Sequence, residues 1–198
     1  MIDLRQSGLL AGFRARGGIL KSPRLHLKLF DESQITPRYV EWFNDPVVCR
    51  FNRHGSGYTF EKALQYARKI QQSPVTVVFS LWTSLRPVHI GNISLNDIDW
   101  QASSGEISIL IGDRDYWGQG FATESVLTLM EFAFKGLALD RVWIGFTATN
   151  SGMRRIAEKL GFRHFQNLKM AFLKNSDPPA DIEEWEALNP RFPREKIK

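Results

Sequence analysis

The residues best suited to chemistry lie in the stretch DYWGQGFATES, residues 115–125, where two glycines precede a helix-like segment. Gly118 and Gly120 permit positive φ angles and let another molecule approach the backbone closely. A helix beginning at Phe121 would present unpaired N–H groups and the positive end of its dipole. Such an arrangement suits a phosphate group, but the same glycines also suit a purely structural strand-to-helix turn. The residues alone leave both interpretations open.

Histidine and cysteine offer no comparable pattern. His54, His89 and His164 are far apart, and nothing around them has the spacing of metal ligands, so we expect no metal site. The single cysteine, Cys49, excludes an intrachain disulfide and is typical of a small packed side chain. No apolar run approaches a transmembrane length, and charges interrupt the N-terminal segment. These features predict a cytoplasmic protein with no membrane contact.

The positive charge of the chain is concentrated at its N-terminus. The 198 residues are 43% apolar, which suits one globular domain, and their formal net charge is +5. Residues 1–28 hold six basic side chains and one acidic side chain, so the remainder is balanced. The body of the protein therefore lacks the character of a polyanion-binding domain, and we expect no nucleic-acid partner. A homodimer is compatible with the sequence.

The elements that must position the glycine turn follow the order β-α-α-β-β-β-α-β-α-β, a single mixed α/β domain. Residues 1–22 are predicted to be a basic extension, residues 23–174 the domain, and residues 175–198 a tail rich in proline and charge. The turn lies between a strand and a helix at the centre of this order. The predicted strands are 24–30, 75–82, 88–95, 105–112, 141–148 and 170–174, and the predicted helices begin near 36, 58, 121 and 151.

Four segments carry a resemblance to a known family. WGQGFATES and TATNSGMRRIAEKLGF, in this order, are similar to segments of the GNAT superfamily of acetyl-CoA-dependent N-acetyltransferases. LKLFDESQITPRYVEWFNDPVVCRF and VHIGNISLNDIDW resemble the branch that includes ribosomal-protein and small-molecule N-acetyltransferases. The resemblance covers roughly residues 24–174. It implies a mostly antiparallel central sheet, flanked by helices and splayed between its fourth and fifth predicted strands.

The resemblance implies that acetyl-CoA binds along the glycine turn and the strand before it. The pyrophosphate would meet backbone N–H groups of the turn, where Trp117 stands at a position that is Gln or Arg in many relatives. The strand backbone would contact the pantetheine arm, and the family's Asn and a basic position match Asn150 and Arg155. The expected cofactor-binding residues are therefore Ile109, Leu110, Ile111, Trp117, Gly118, Gln119, Gly120, Phe121, Ala122, Thr123, Asn150 and Arg155.

The resemblance also implies the chemistry of acetyl transfer. Glu106, on the strand that leads to the thioester, is the candidate general base, although a structural carboxylate is an equal alternative. Many relatives carry a general acid three or more residues beyond the Asn, but Met153 and Ala157 occupy those places here and cannot donate a proton. The stretch between Phe165 and Met170 is shorter than the hairpin that shapes the acceptor pocket in the family.

The sequence leaves the acceptor open. A small amine such as an amino sugar nucleotide is the first expectation, because the second pair of segments resembles relatives from surface-polysaccharide pathways. The N-terminus of a protein is the alternative acceptor. A fold that holds acyl-CoA without catalysis is a further alternative, which the missing general acid favours.

Overall fold

The computed structural model describes residues 4–52, 56–174 and 177–190, in which helices cover both faces of one sheet. None of the helices in these ranges has the combined length and apolar character that a bilayer crossing needs. The helices are α1 (Leu4–Ala15), α2 (Pro37–Trp42), α3 (Phe60–Gln71), α4 (Phe121–Glu131) and α5 (Ser151–Lys159). The strands are β1 (Ile19–Lys21), β2 (Leu25–Leu29), β3 (Val77–Thr83), β4 (His89–Asp99), β5 (Ser104–Ile111), β6 (Arg141–Thr147), β7 (Arg163–Lys174) and β8 (Asp177–Leu188).

The strands form one open sheet in the order β1-β2-β3-β4-β5-β6-β8-β7. Every neighbouring pair is antiparallel except β5 and β6, which run parallel. The prediction of a mixed α/β domain with a mostly antiparallel sheet is confirmed.

The parallel pair is splayed, as the resemblance implied. Pairing runs only from Ser104 opposite Arg141 to Glu106 opposite Trp143. β5 continues to Ile111 alongside β4, and β6 continues beside β8, but the two strands no longer meet each other. A V-shaped gap therefore opens beyond Glu106, with one backbone edge of β5 facing it.

Helices cover the two faces of the sheet through separate apolar clusters. The larger cluster joins α1, α4 and α5 to the sheet and includes Leu10, Leu129 and Ala157, each at most 1% exposed. The smaller cluster joins α2 and α3 to the opposite face through Tyr39 and Ala67. Because burial of these apolar faces drives the packing, the sheet is held between two helical layers.

Short polar side chains begin three of the helices. Thr36, Thr59 and Asn150 accept hydrogen bonds from backbone N–H groups three residues later, at 3.2, 3.2 and 3.1 Å. Gly161 has a φ of 75° and follows the end of α5, where a left-handed residue closes a helix. On the inner face of α3, Ala63 is buried, whereas Phe60 in the first turn is 47% exposed.

The N-terminal boundary differs from the predicted extension of residues 1–22. From Leu4 onward this segment forms α1 and β1, and Leu10 is buried in the larger cluster. Arg14 donates to the carbonyls of Ser73 and Thr76 at 2.7 and 2.6 Å, in the connection between α3 and β3. The charge pattern was misleading because basic side chains of this segment bind groups inside the domain.

The C-terminal boundary also requires correction. Residues 177–188, predicted as part of a tail, form β8 and insert between β6 and β7. Glu186 in this strand meets Arg141 at 2.7 Å and Arg163 at 2.8 Å. Other carboxylates of the segment pair with Arg154 of α5 and Lys169 of β7, so its charges are used within the fold. The predicted strand at 170–174 is accordingly the end of the longer β7, which forms a hairpin with β8.

Candidate active site

The glycine turn presents a row of backbone donors. Gly118 and Gly120 have φ angles of 71° and 81°, and Gly120 stands at the N-cap of α4 without a capping side chain. Within the described ranges, the N–H groups from Gly118 to Thr123 meet no acceptor in the protein. Left-handed residues interspersed with ordinary ones gather such N–H groups into a concave anion site. The turn therefore has the backbone geometry that anion sites use.

Side chains within the turn hold it against the end of β5. The indole Nε1 of Trp117 donates to the Ile111 carbonyl at 2.8 Å, and the Gln119 amide donates to the Asp115 carbonyl at 2.6 Å. Asp113 is nearly buried and pairs with Arg38 of α2. The contact of Trp117 gives a physical reason for an indole at this position, since it joins the turn to the strand.

Arg24, which lies just before β2, contacts the same turn. Its Nε meets Glu124 at 2.6 Å, and its Nη1 donates to the Gln119 carbonyl at 3.0 Å. The guanidinium also lies 4.3 Å from the centre of the Phe121 ring. Arg24 stands at the start of the first predicted strand, residues 24–30, and the sequence assigned it no role in the site. The pattern contained no local signal, since Arg24 and Glu124 are a hundred residues apart.

The strand residues Ile109, Leu110 and Ile111 border the gap. Ile109 and Ile111 pack toward the larger apolar cluster and Leu110 toward the smaller one. One edge of their backbone is paired with β4, and β6 no longer faces the other edge. The structure thus brings these three residues to the gap beside the glycine turn.

Asn150 and Arg155 lie at the start of α5, immediately after β6. The Asn150 side chain accepts from the Met153 N–H at 3.1 Å and therefore has a structural role as a helix cap. Arg155 is exposed, and no acidic side chain of the described residues pairs with it. Its neighbour Arg154 is committed to Glu183 and to the Ala148 carbonyl at 2.8 Å. Of the two arginines, Arg155 has its guanidinium available to a ligand.

Glu106 stands at the vertex of the gap, on the sheet face opposite α4. It is the last β5 residue paired with β6, and it lies opposite Asn96 of β4. The Asn96 amide donates to the hydroxyls of Ser94 and Ser108 at 3.0 and 3.2 Å. Glu106 therefore belongs to a polar strip that runs along this face of β4 and β5.

A notch adjoins the polar strip on β6. Gly145 is exposed, and a β-carbon added there would lie 3.5 Å from the Trp143 ring. The same atom would lie 3.7 and 3.8 Å from side-chain carbons of Ile182 and Glu184 on β8. Glycine inside a strand commonly marks a place where another molecule approaches the backbone. Trp143 is also the strand partner of Glu106, so the notch opens beside the vertex of the gap.

The two positions where relatives carry an acid are occupied by side chains of the packed interior. Ala157 is fully buried, and Met153 packs against the larger cluster. His89 is not placed to serve as the general acid either, because its ring stacks between the rings of Trp82 and Tyr39. No group of three metal-ligating side chains occurs in the ranges that the structure describes.

The sequence is similar to a family model and to curated proteins. A family model described as "Acetyltransferase (GNAT) domain" matches residues 24–163. FsC-acetyl coenzyme A-N(2)-transacetylase from Aspergillus fumigatus is 27% identical over 155 residues, which cover 72% of this chain and 63% of that protein. The uncharacterized N-acetyltransferase p20 from Bacillus licheniformis is 32% identical over 74 residues, covering 37% and 41%. The chain thus matches less than two thirds of the length of these curated relatives.

Solved structures support the same fold. Spermidine N-acetyltransferase from Vibrio cholerae, in complex with CoA and spermine, has a TM-score of 0.77 at 18% identity, covering 85% of this chain and 97% of that one. A probable GNAT-family acetyltransferase from Chromobacterium violaceum has a TM-score of 0.75 at 15% identity, covering 87% of each chain. The family match extends over more than half of the sequence, and the chain belongs to the GNAT acetyltransferase family.

Proposed function

We propose that this protein moves acetyl from acetyl-CoA to the primary amine of a small molecule, by direct attack within a ternary complex. The observation that carries the proposal is the gap between β5 and β6. Its open end adjoins the donor-rich glycine turn, and its vertex lies at Glu106. One molecule extended along the gap would place a phosphate at one end and a reactive group near a carboxylate at the other.

The cofactor would be held mainly by the protein backbone. The N–H groups of the turn, from Gly118 to Thr123, would receive the pyrophosphate, and the positive end of the α4 dipole would add to the attraction. The free edge of β5 at Ile109–Ile111 would bond to the pantetheine arm. Arg155 and the loop at Asn150 would contact the cofactor from the opposite side of the gap.

The reaction would depend more on orientation than on strong acids and bases. A backbone N–H of the free β5 edge would polarise the thioester oxygen while the amine attacks the carbonyl carbon. The C–S bond breaks, its electron pair stays on sulfur, and the amine loses a proton to Glu106, directly or through a water molecule. Because Met153 and Ala157 carry no acidic proton, the thiolate would take its proton from water. Orientation can contribute on the order of 7–11 kcal/mol to such a step.

The acceptor would bind on the face that carries Glu106. Trp143 is the strand partner of Glu106, and the notch at Gly145 lies between Trp143 and Glu184. An indole with carboxylates recognises a cationic amine well. The named substrates of similar proteins include a polyamine and an N(2)-amine, which supports a small amine. Amino sugar nucleotides remain among the acceptors we expect, and a protein N-terminus is the alternative.

A non-catalytic role in holding acyl-CoA is the second candidate. It is favoured by one observation, the packing of Met153 and Ala157 into the interior where relatives carry an acid. Turnover separates this role from an enzyme.

The test is thiol release from acetyl-CoA with polyamines, nucleotide-linked amino sugars, amino acids and N-terminal peptides. Release with a small-amine class supports the proposal, and release with peptides alone supports the alternative acceptor. Tight acetyl-CoA binding without release in any class would favour the non-catalytic role.

A further inference from the structure

We propose that Arg24 and Glu124 form a clamp that orients the Gln119–Gly120 peptide for phosphate binding. This inference rests on the proposed function, because it concerns how the same turn receives acetyl-CoA. It assigns to the hairpin of β1 and β2 a part in cofactor affinity, through a residue outside the glycine motif.

The guanidinium of Arg24 acts as a fork, because two of its nitrogens donate to two different acceptors. Nε bonds to Oε2 of Glu124 at 2.6 Å and Nη1 to the Gln119 carbonyl at 3.0 Å. The backbone N–H of Arg24 donates to Oε1 of the same carboxylate at 2.8 Å, and the Ser22 hydroxyl donates to it at 2.6 Å. Glu124 therefore receives three donors from one hairpin, and this fixes the direction of the fork.

The clamp acts on the turn through peptide geometry. In a trans peptide the carbonyl and the following N–H point in opposite directions. Because Arg24 binds the Gln119 carbonyl, the Gly120 N–H must point away from that contact. That N–H belongs to the row of donors that lack an acceptor in the protein. Left-handed glycines on both sides of Gln119 would otherwise let this peptide rotate easily.

Glu124 would work against an anion if it were unpaired. It lies in the first turn of α4, close to the donors that would hold phosphate. Burial raises the pKa of Glu124, but hydrogen bonds from Ser22 and Arg24 outweigh this and hold the pKa below its ordinary value. The carboxylate is thus ionised and balanced by Arg24, so one residue both neutralises it and directs the peptide.

Calorimetric titration with CoA and with pantetheine, which lacks the pyrophosphate, tests the clamp. The variants are Arg24→Gln and Arg24→Lys, with Lys21→Gln as the control. Lys21 is an exposed cation on the same hairpin, so it matches the charge change without touching the turn. We expect Arg24→Gln to weaken CoA binding about tenfold and to leave pantetheine binding unchanged. Arg24→Lys keeps the charge but not the fork, and should recover only part of the affinity.

Two results would overturn the clamp. One is an Arg24→Gln or Arg24→Lys protein that binds CoA as the Lys21→Gln control does. The other is an equal loss for CoA and pantetheine, which indicates general distortion of the fold. If the unaltered protein binds no CoA, the proposed function fails together with the clamp. If the unaltered protein binds CoA and the Arg24 variants bind it equally well, the clamp is wrong but the proposed function stands.

Discussion

At the scale of single residues, the proposed phosphate site depends most on Gly120. Its φ of 81° is costly for any other residue, and an added β-carbon would lie 3.5 Å from the outer nitrogen of Arg24. The glycine pattern made this turn predictable, because positive φ angles and helix N-termini have local sequence signals. Arg24 was not predictable in the same way, since its partners become neighbours only when the hairpin packs on α4.

Replacing Gly120 with aspartate should weaken acetyl-CoA binding by at least about a hundredfold. The new carboxylate would repel phosphate, and backbone strain would add a cost of about 1–3 kcal/mol. Titration calorimetry measures the change. Gly17→Asp is the matched control, because Gly17 has a similar φ of 74° in a turn remote from the site. Equal affinity in the Gly120→Asp and Gly17→Asp proteins would contradict the phosphate assignment.

Glu106→Gln should lower kcat while leaving the Kd for acetyl-CoA unchanged. The amide preserves the shape of the side chain but cannot take the proton of the amine, so we expect a loss of about 10²-fold. Glu131→Gln, an exposed acid on α4, controls for the change from acid to amide. Turnover that matches the control would remove Glu106 as the base.

At the scale of elements, the parallel junction of β5 and β6 and the start of α5 shape the site. Local sequence patterns predicted four of the five helices and six of the eight strands in the described residues, since such patterns depend on neighbouring residues. The charged strand β8 was mistaken for a tail because its pairing with β6 is a long-range property. Asn150, which matches the family's Asn, has a structural role because it caps α5. The cap lies beside the gap in which the cofactor is proposed to lie.

Asn150→Ala should lower the free energy of unfolding by about 1 kcal/mol, the usual cost of losing an N-cap. Asn150→Asp should keep most of the stability, because its carboxylate can accept the same N–H. Chemical denaturation measures both. Equal stability of the alanine and aspartate variants would mean that the cap does not support α5.

Filling the notch on β6 should separate acceptor binding from cofactor binding. Gly145→Val adds side-chain atoms between Trp143 and Glu184, so we expect the KM for the amine to rise about tenfold while the Kd for acetyl-CoA stays constant. Steady-state kinetics and calorimetry give the two values. A valine variant with normal amine KM would place the acceptor elsewhere on the sheet.

At the scale of the whole molecule, the two helical layers and their buried polar groups determine how stability responds to pH. Burial lowers the pKa of His89 below its ordinary value of 6.5, and Arg38 lowers it further, while hydrogen bonds to Asn92 and the Gly91 carbonyl oppose the change. Near pH 6.5 the His89 imidazole therefore binds a proton in the unfolded chain but stays neutral in the folded protein.

The free energy of unfolding should thus fall as pH drops below about 6.5, until the lower folded pKa is reached. His89→Gln should be less stable overall but should lose this segment of the pH dependence. His164→Gln, at an exposed position on β7, should retain it. Urea denaturation between neutral and mildly acidic pH compares the slopes. An unchanged slope in the His89 variant would assign the pH dependence to another group.

The most direct test of the central claim is an amide spectrum of the isotope-labelled protein, recorded as CoA is added. We expect the largest shifts at Gly118–Thr123, with a second group at Ile109–Ile111 along the gap. These amides include the donors that have no acceptor in the protein. Saturable binding that leaves the turn unshifted and moves amides elsewhere would contradict the account.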